Sequence, residues 1–264
     1  MSAEPLFSYA TLFGFLFMLA RVSCVFALLP LAAFKSAPDS AKIVLSLALT
    51  LILFPEWKAP VSLGAGVGDA GIGRLVAGIA GEAAMGLTIG LALAIVMEVF
   101  QVAAQVVSLQ AGFGFASTVD PTSGADSTVL LTLSQITAGL LFFTAGADRM
   151  LIRALADSMK LCPPGSIGMN RGWAEAMIRF SATIFSSGLR LAAPIVALLL
   201  LADASLAVLG RVQVHIHLVS LTMPVKLGVA MLMIASTLVF QPQFFETAMA
   251  PCIRLLEGIF RSAH

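Results

Sequence analysis

An all-α, multi-pass integral membrane protein is the fold class this sequence predicts, and three observations predict it. Of its 264 residues 59% are hydrophobic and only 11% are charged. Mean hydropathy is +1.00. The apolar residues gather into about six runs divided by Gly-, Pro- and charge-bearing breaks. A soluble domain carries about 45–50% apolar and about 25% charged residues, so a water-soluble globule of this composition would expose a large apolar surface and aggregate. Six spans of about 20 residues need only ~120 residues, so length sets no limit on topology. The net charge of +1, from 15 Lys and Arg against 14 Asp and Glu, gives no reason to expect nucleic acid or a strongly acidic substrate.

The first apolar stretch runs from about Ala10 to Phe34, interrupted by Arg21 and Pro30. Its lead-in, Met-Ser-Ala-Glu-Pro, lacks the basic start of a signal peptide, so a retained helix is expected. Phe34 to Lys42 reads as a turn at Pro38 and Asp39. Ile43 to Phe54 gives ~18 Å of helix, short of a ~30 Å hydrocarbon core. Glu56 to Gly73 reads as a linker. It holds a formal G-x-G-x-x-G match, Gly66 to Gly71, but Trp57-Lys-Ala-Pro60 stands where a dinucleotide fingerprint needs a strand.

One long helix is expected from Arg74 to about Val107, with Glu82 and Glu98 inside it. Gly86-x-x-x-Gly90 permits close approach of another helix, from this chain or from a different subunit. After a Gly- and Phe-bearing break, Val129 to Ala147 is apolar with Gln135 inside, and Asp148 to Lys160 is a charged helix end or amphipathic turn. Pro163-Pro164-Gly165 sets a loop over Cys162 to Gly172. Ala174 to Gly210 is a long helix interrupted by Arg190 and Pro194. Arg211 to Pro224 is polar and β-branched, Leu227 to Phe240 is apolar, and Gln241 to His264 has the spacing of an amphipathic terminal helix.

Arg21, Glu82, Glu98, Arg190, Asp203 and Lys226 lie within or against these apolar runs. Each costs about 2.5–3.5 kcal/mol at a helix centre facing lipid, roughly 15–20 kcal/mol together. They must therefore face each other, a partner or water. Three arrangements satisfy that requirement: a proton relay through Glu82, Glu98 and Asp203, buried ion pairs between helices, or packing inside a larger multi-subunit body.

Enzymatic constellations are weak. His215 and His217 have no Cys or carboxylate within ten residues to complete a metal site. No G-x-S-x-G or H-E-x-x-H occurs. Cys24, Cys162 and Cys252 are widely spaced and read as packing residues. No catalytic residue, metal or cofactor is expected.

The most unusual segment begins at Gln105 and continues through Gln110, Gly112, Phe113, Gly114 and Phe115 to Asp120-Pro121. Irregular backbone at membrane depth survives only when buried in protein or lining a wet cavity. The glycines supply conformational freedom and the phenylalanines bulk, which suits a plug or gasket; a re-entrant structural turn has the same ingredients.

Three blocks then carry a resemblance. They are Arg21 to Pro30 with Ala37-Pro38; Gly81-Glu82 with Gly86 and Gly90, on through Gln105, Gln110, Gly112, Gly114 and Asp120-Pro121-Thr122; and Arg190-Leu-Ala-Ala-Pro194 through Asp203 to Arg211 and Pro224-Val-Lys226. In order and spacing the sequence resembles the FliR family of flagellar export-gate subunits and their type III secretion counterparts. It departs from the family pattern at Ala111, where methionine is common, and at Val214-His215, where Pro-Gln is common.

The resemblance implies a non-enzymatic pore component in the bacterial inner membrane and flagellar basal body. It would assemble with FliP-like and FliQ-like subunits, contact an FlhB-like subunit and pass unfolded substrates. It implies one domain over 1–264, with FliP-like helices over about 10–187, a plug loop over about 107–120, a FliQ-like hairpin over about 188–240 and a tail over 241–264. Arg21, Glu82, Glu98, Arg190, Asp203, Arg211 and Lys226 would then be buried charges that pack helices or subunits. A virulence-type secretion homologue and a small proton-coupled transporter are the alternatives.

Overall fold

A computed structural model describes residues 9–29, 38–54, 69–113, 128–165, 171–212 and 218–262. Every regular element among them is helical: α1 (Tyr9–Leu28), α2 (Asp39–Leu53), α3 (Asp69–Ala111), α4 (Thr128–Thr144), α5 (Ala147–Leu161), α6 (Arg171–Val212), α7 (Leu218–Thr237), a 3-10 turn (Leu238–Phe240) and α8 (Gln241–Ser262). Among the described residues four stretches are long and apolar enough to cross a membrane, Thr11–Leu28, Leu75–Ala111, Gly172–Arg211 and Thr222–Arg261, and Val129–Thr144 with Ala147–Leu161, bent by 64°, passes only as a pair. The chain is therefore all-α and multi-pass in type.

Several boundaries differ from the sequence reading. α3 starts at Asp69 rather than Arg74 and runs to Ala111, so Gly71 and Gly73 are helical; Gly66 and Gly68 of the formal G-x-G-x-x-G lie outside the described residues. A glycine inside a helix costs only about 1 kcal/mol, which packing of the remaining turns offsets. α6 ends at Val212 and α7 begins at Leu218, so most of the expected polar segment 211–224 is helix, with Pro224 inside it. His215 and His217 lie outside the described residues.

The structure forms two compact units. The first comprises residues 1–95, 146–181 and 250–264. Within it α1 runs parallel to the first part of α3. Phe17 meets Gly78, Arg21 and Cys24 meet Gly86, and Val25 and Leu28 meet Gly90. The glycine pair of α3 thus admits a helix of its own chain. A Cβ at Gly86 would run into the Arg21 carbonyl oxygen and come within 2.9 Å of the Cys24 Cβ. Gly86→Ala is therefore expected to push α1 off α3 and destabilise the protein by about 3 kcal/mol, read as a lowered melting temperature in detergent.

α2 returns antiparallel along α1, with Phe15 and Phe54 in edge-to-face contact at 5.7 Å. Its buried positions are Ser46, Thr50 and Leu53, while Ile43, Val44, Leu51 and Ile52 face outward. The two hydroxyls donate to Ile43 O at 2.9 Å and Ser46 O at 2.7 Å. Small, locally satisfied residues at the helix contact and bulky apolar ones outside suit a helix set against lipid or another protein.

The second unit comprises residues 96–145 and 182–249. Its core joins Ala103, Val107 and Ala111 of α3, Leu130 of α4, Ala192, Ile195 and Leu199 of α6, and Ala230 of α7. Phe100 packs on Phe244 and Phe245 at 6.0 and 5.9 Å. Gly188 lets α6 approach α3, for a Cβ there would lie 2.7 Å from a Val102 methyl. Pro194 and Pro224 sit inside α6 and α7; Pro194 has no N–H to offer the Arg190 carbonyl.

The central helix and the later ones differ in how much they bury. The span window in α3 is 67% buried within the chain, against 17% for α6 and 6% for the window from Thr222. Leu189, Leu200, Leu201, Leu232, Val239 and Phe240 are among the large apolar side chains left exposed. Such a surface persists only against lipid or another protein.

Candidate functional site: polar contacts along the central helix

α3 carries the polar residues that organise both units. In the first, Arg21 and Glu82 are fully buried, with Nε and Oε2 2.7 Å apart. Every arm of the pair is used. Arg21 also donates to Ser158 Oγ at 3.0 Å and to the Cys162 carbonyl at 2.9 Å. The second carboxylate oxygen of Glu82 accepts from the Gly165 backbone N–H at 2.8 Å. Burial raises the Cys162 thiol above its usual range, so it stays protonated and donates to the Phe260 carbonyl at 3.3 Å. A buried ion pair repays its desolvation only when geometry is good and the remaining hydrogen bonds are satisfied. Here they are, and the result fastens α1, α3, the end of α5 and the Pro163-Pro164-Gly165 turn together.

In the second unit Glu98, Gln101 and Gln105 recur at i, i+3 and i+7, which places them along one face of α3. Gln101 donates to Glu98 at 2.6 Å and accepts from Gln135 of α4 at 2.9 Å. Gln105 is exposed. Ser108 continues the stripe with a buried hydroxyl that has no hydrogen-bond partner among the described residues.

Gln110 points elsewhere. It donates to Asp203 of α6 at 3.1 Å, and Lys226 of α7 reaches both carboxylate oxygens at 2.9 Å. With Asp203 opposite Lys226, and Ile195 and Leu199 sharing a core with Ala230, α6 and α7 run antiparallel. The pair is partly open, with side chains 34% and 14% exposed, so water screens it. Asp203→Asn is expected to cost about 1 kcal/mol in thermal unfolding, and the exchange Asp203→Lys with Lys226→Asp to recover most of that.

Immediately after Gln110 the central helix stops. Gly112 adopts φ +83°, its N–H donating to Leu109 O at 3.3 Å and that of Phe113 to Ser108 O at 3.1 Å. This is a Schellman cap, which needs a residue without Cβ strain at the glycine position. Gly114, Phe115, Asp120 and Pro121 lie outside the described residues.

The structure thus brings Arg21 to Glu82, and Gln110 to Asp203 and Lys226. Arg190 and Arg211 are not buried within this chain: both are exposed. An arginine's long stem lets its charge reach water or a neighbour from an apolar helix. The sequence reading missed Ser158, the Cys162 carbonyl and the Gly165 N–H as ligands of the pair, because two of the three are backbone groups. Gln135 was visible as a polar residue in an apolar run, but its partner was not. Among the described residues no cluster of His, Cys, Asp and Glu could hold a metal ion.

A family model described as bacterial export proteins, family 1, matches residues 12–251. The chain is 28% identical over 245 residues to the flagellar biosynthetic protein FliR of Pectobacterium carotovorum subsp. carotovorum, covering 93% of this chain and 92% of the relative. It is 28% identical over 244 residues to FliR of Escherichia coli strain K12, covering 91% and 90%. Similarity extends to the surface presentation of antigens protein SpaR of Shigella flexneri, 26% identical over 168 residues, or 62% of this chain and 65% of that one.

Proposed function

The chain belongs to the bacterial export proteins, family 1, and from that premise we propose that it is a component of the flagellar protein export apparatus. The observation that carries this reading is the family match over residues 12–251, reinforced by FliR relatives aligned over more than nine-tenths of the chain. Its seat is the bacterial inner membrane at the flagellar basal body. There it joins FliP-like and FliQ-like subunits and contacts an FlhB-like subunit. Residues of about 10–187 take the FliP-like part and about 188–240 the FliQ-like hairpin.

The bare apolar faces of α6 and of the stretch from Thr222 support assembly, because they ask for covering that the chain does not provide. Exposed Arg190 and Arg211 on α6 fit that same need, since a cation in an apolar face is costly against lipid. The polar stripe of Glu98, Gln101 and Gln105 suits a path for unfolded polypeptide. The segment of about 107–120 acts as its plug, entered through the Gly112 cap and anchored at Gln110. No chemistry on the cargo is assigned to this chain: its role is to hold and seal.

Two observations weigh against a proton-coupled transporter. Glu82 is enclosed and bound to Arg21 and Gly165, and Asp203 is paired with Lys226. Neither carboxylate is a ready carrier. The SpaR relatives keep a virulence-type machine as the alternative host; the FliR relatives align over more of the chain and favour the flagellum.

The test is removal of the gene from its host. The expected result is loss of filaments, swimming and flagellin secretion, restored by a plasmid copy. Intact filaments with loss of another set of secreted proteins would assign the chain to a virulence machine. Intact secretion of both kinds would overturn the export reading.

A further inference from the structure

Charge is spread unevenly over the helices. α4 carries none, whereas α5, which follows it after Gly146 at φ +71°, carries Asp148, Arg149, Arg153, Asp157 and Lys160 in fifteen residues. α8 likewise follows the apolar stretch Leu227–Phe240 and carries Glu246 near its start and Arg254, Glu257 and Arg261 toward its end. Five ionised groups in four turns do not enter hydrocarbon. Such a helix, with its apolar face packed on the protein, turns its ionised face to water or to the headgroup layer.

The faces are well separated. α5 buries Ala147, Leu151, Leu155, Ser158 and Met159. Arg149, Arg153 and Lys160, at i, i+4 and i+11, fall within ~40° of one another on the opposite side and are exposed. The end of α8 buries Cys252, Leu256, Ile259 and Phe260, with Arg254 and Arg261 exposed on the far face. The contact of Cys162 with the Phe260 carbonyl joins the two helix ends, which puts Lys160 and Arg261 within two residues of it. The exposed carboxylates on these faces are Asp157 and Glu257, with Asp148 half-buried, so cations outnumber them. Met150, Ile152 and Leu161 are exposed beside the α5 cations.

We infer that the outer faces of α5 and of the end of α8 form a docking surface for anionic phospholipid headgroups. Cations at the point where apolar helices give out meet the phosphodiester layer first, and the apolar side chains beside them reach the acyl boundary. An acidic protein partner would match the same charges, but their place, where the uncharged α4 and the apolar stretch Leu227–Phe240 give out, favours headgroups.

The test uses the full-length protein in mild detergent. Native mass spectrometry compares retention of phosphatidylglycerol with that of phosphatidylcholine supplied in equal amounts. Wild type is expected to retain at least about ten times more phosphatidylglycerol. Arg149→Gln, Arg153→Gln, Arg254→Gln and Arg261→Gln each lower that preference by up to about fivefold, and the four together remove it. The four corresponding Arg→Lys changes keep it, as does Arg190→Gln with Arg211→Gln. If the fourfold Gln variant loses helicity, the single variants decide, and unchanged preference in all four overturns the proposal. So does a wild type without preference, an equal loss from the Arg190 and Arg211 changes, or a poly-glutamate peptide that binds while phosphatidylglycerol does not.

Discussion

Replacing Glu82 by alanine is expected to unfold the first unit. The change strips Arg21 of its counter-ion and leaves the Gly165 N–H unpaired, in a site where both side chains are fully enclosed. Removing one partner of a buried ion pair costs about 3–5 kcal/mol, because the other charge stays behind without compensation. Total stabilities run at about 5–15 kcal/mol, so a loss of that size should show as failed accumulation in the membrane or a collapsed melting transition. Glu82→Gln keeps an acceptor for Gly165 and should be milder. Arg21→Met with Glu82→Leu removes both charges and should recover much of the loss, since an apolar pair of similar volume avoids the desolvation cost. A double variant no better than Glu82→Ala would contradict this account of the pair.

Deleting Gly112 to Ser117 is expected to leave assembly intact and make the membrane leak. α3 ends at the Gly112 cap, and the residue before the deletion that is tied down, Gln110, keeps its bond to Asp203. The buried core that holds α3, α4, α6 and α7 together, from Ala103 and Val107 to Leu130, Ile195 and Ala230, lies outside the deleted stretch, of which the partly buried Phe113 packs against it. The seal would therefore be lost without the walls. Ion flux across vesicles carrying the assembled complex should rise by more than an order of magnitude above the undeleted protein. Unchanged flux in a correctly assembled deletion variant would contradict the plug role.

Helices and their order were legible in the sequence, because apolar runs of this length have few other solutions in a membrane. Boundaries were harder. Asp69 to Gly73 reads as linker by composition, yet the helix extends through it. The stretch from Arg211 to Pro224 was hidden by its β-branched residues and proline, since local propensity yields to packing. Glycine spacing announced a close helix contact at Gly86 and Gly90, but only coordinates identify α1 as the helix that fills it. Arg21, Glu82 and Asp203 stood out by the cost of charge in apolar surroundings. Which of them pair does not follow from that cost, because their partners lie 23 to 141 residues away. Arg190 and Arg211 gave the same signal and turned out exposed, since an energetic need for a partner does not say which chain supplies it.

The idea on which the functional reading stands is incompleteness: α6 and the stretch from Thr222 present apolar faces that other subunits cover. It is tested most directly by the mass of the particle that contains this chain when tagged full-length protein is drawn from its native membrane in mild detergent. The account predicts a particle several times the mass of the chain and its detergent, holding other membrane proteins of the export apparatus, with the chain unstable once they are removed. A stable particle of a single chain, retaining its fold alone in a bilayer mimic, would contradict it.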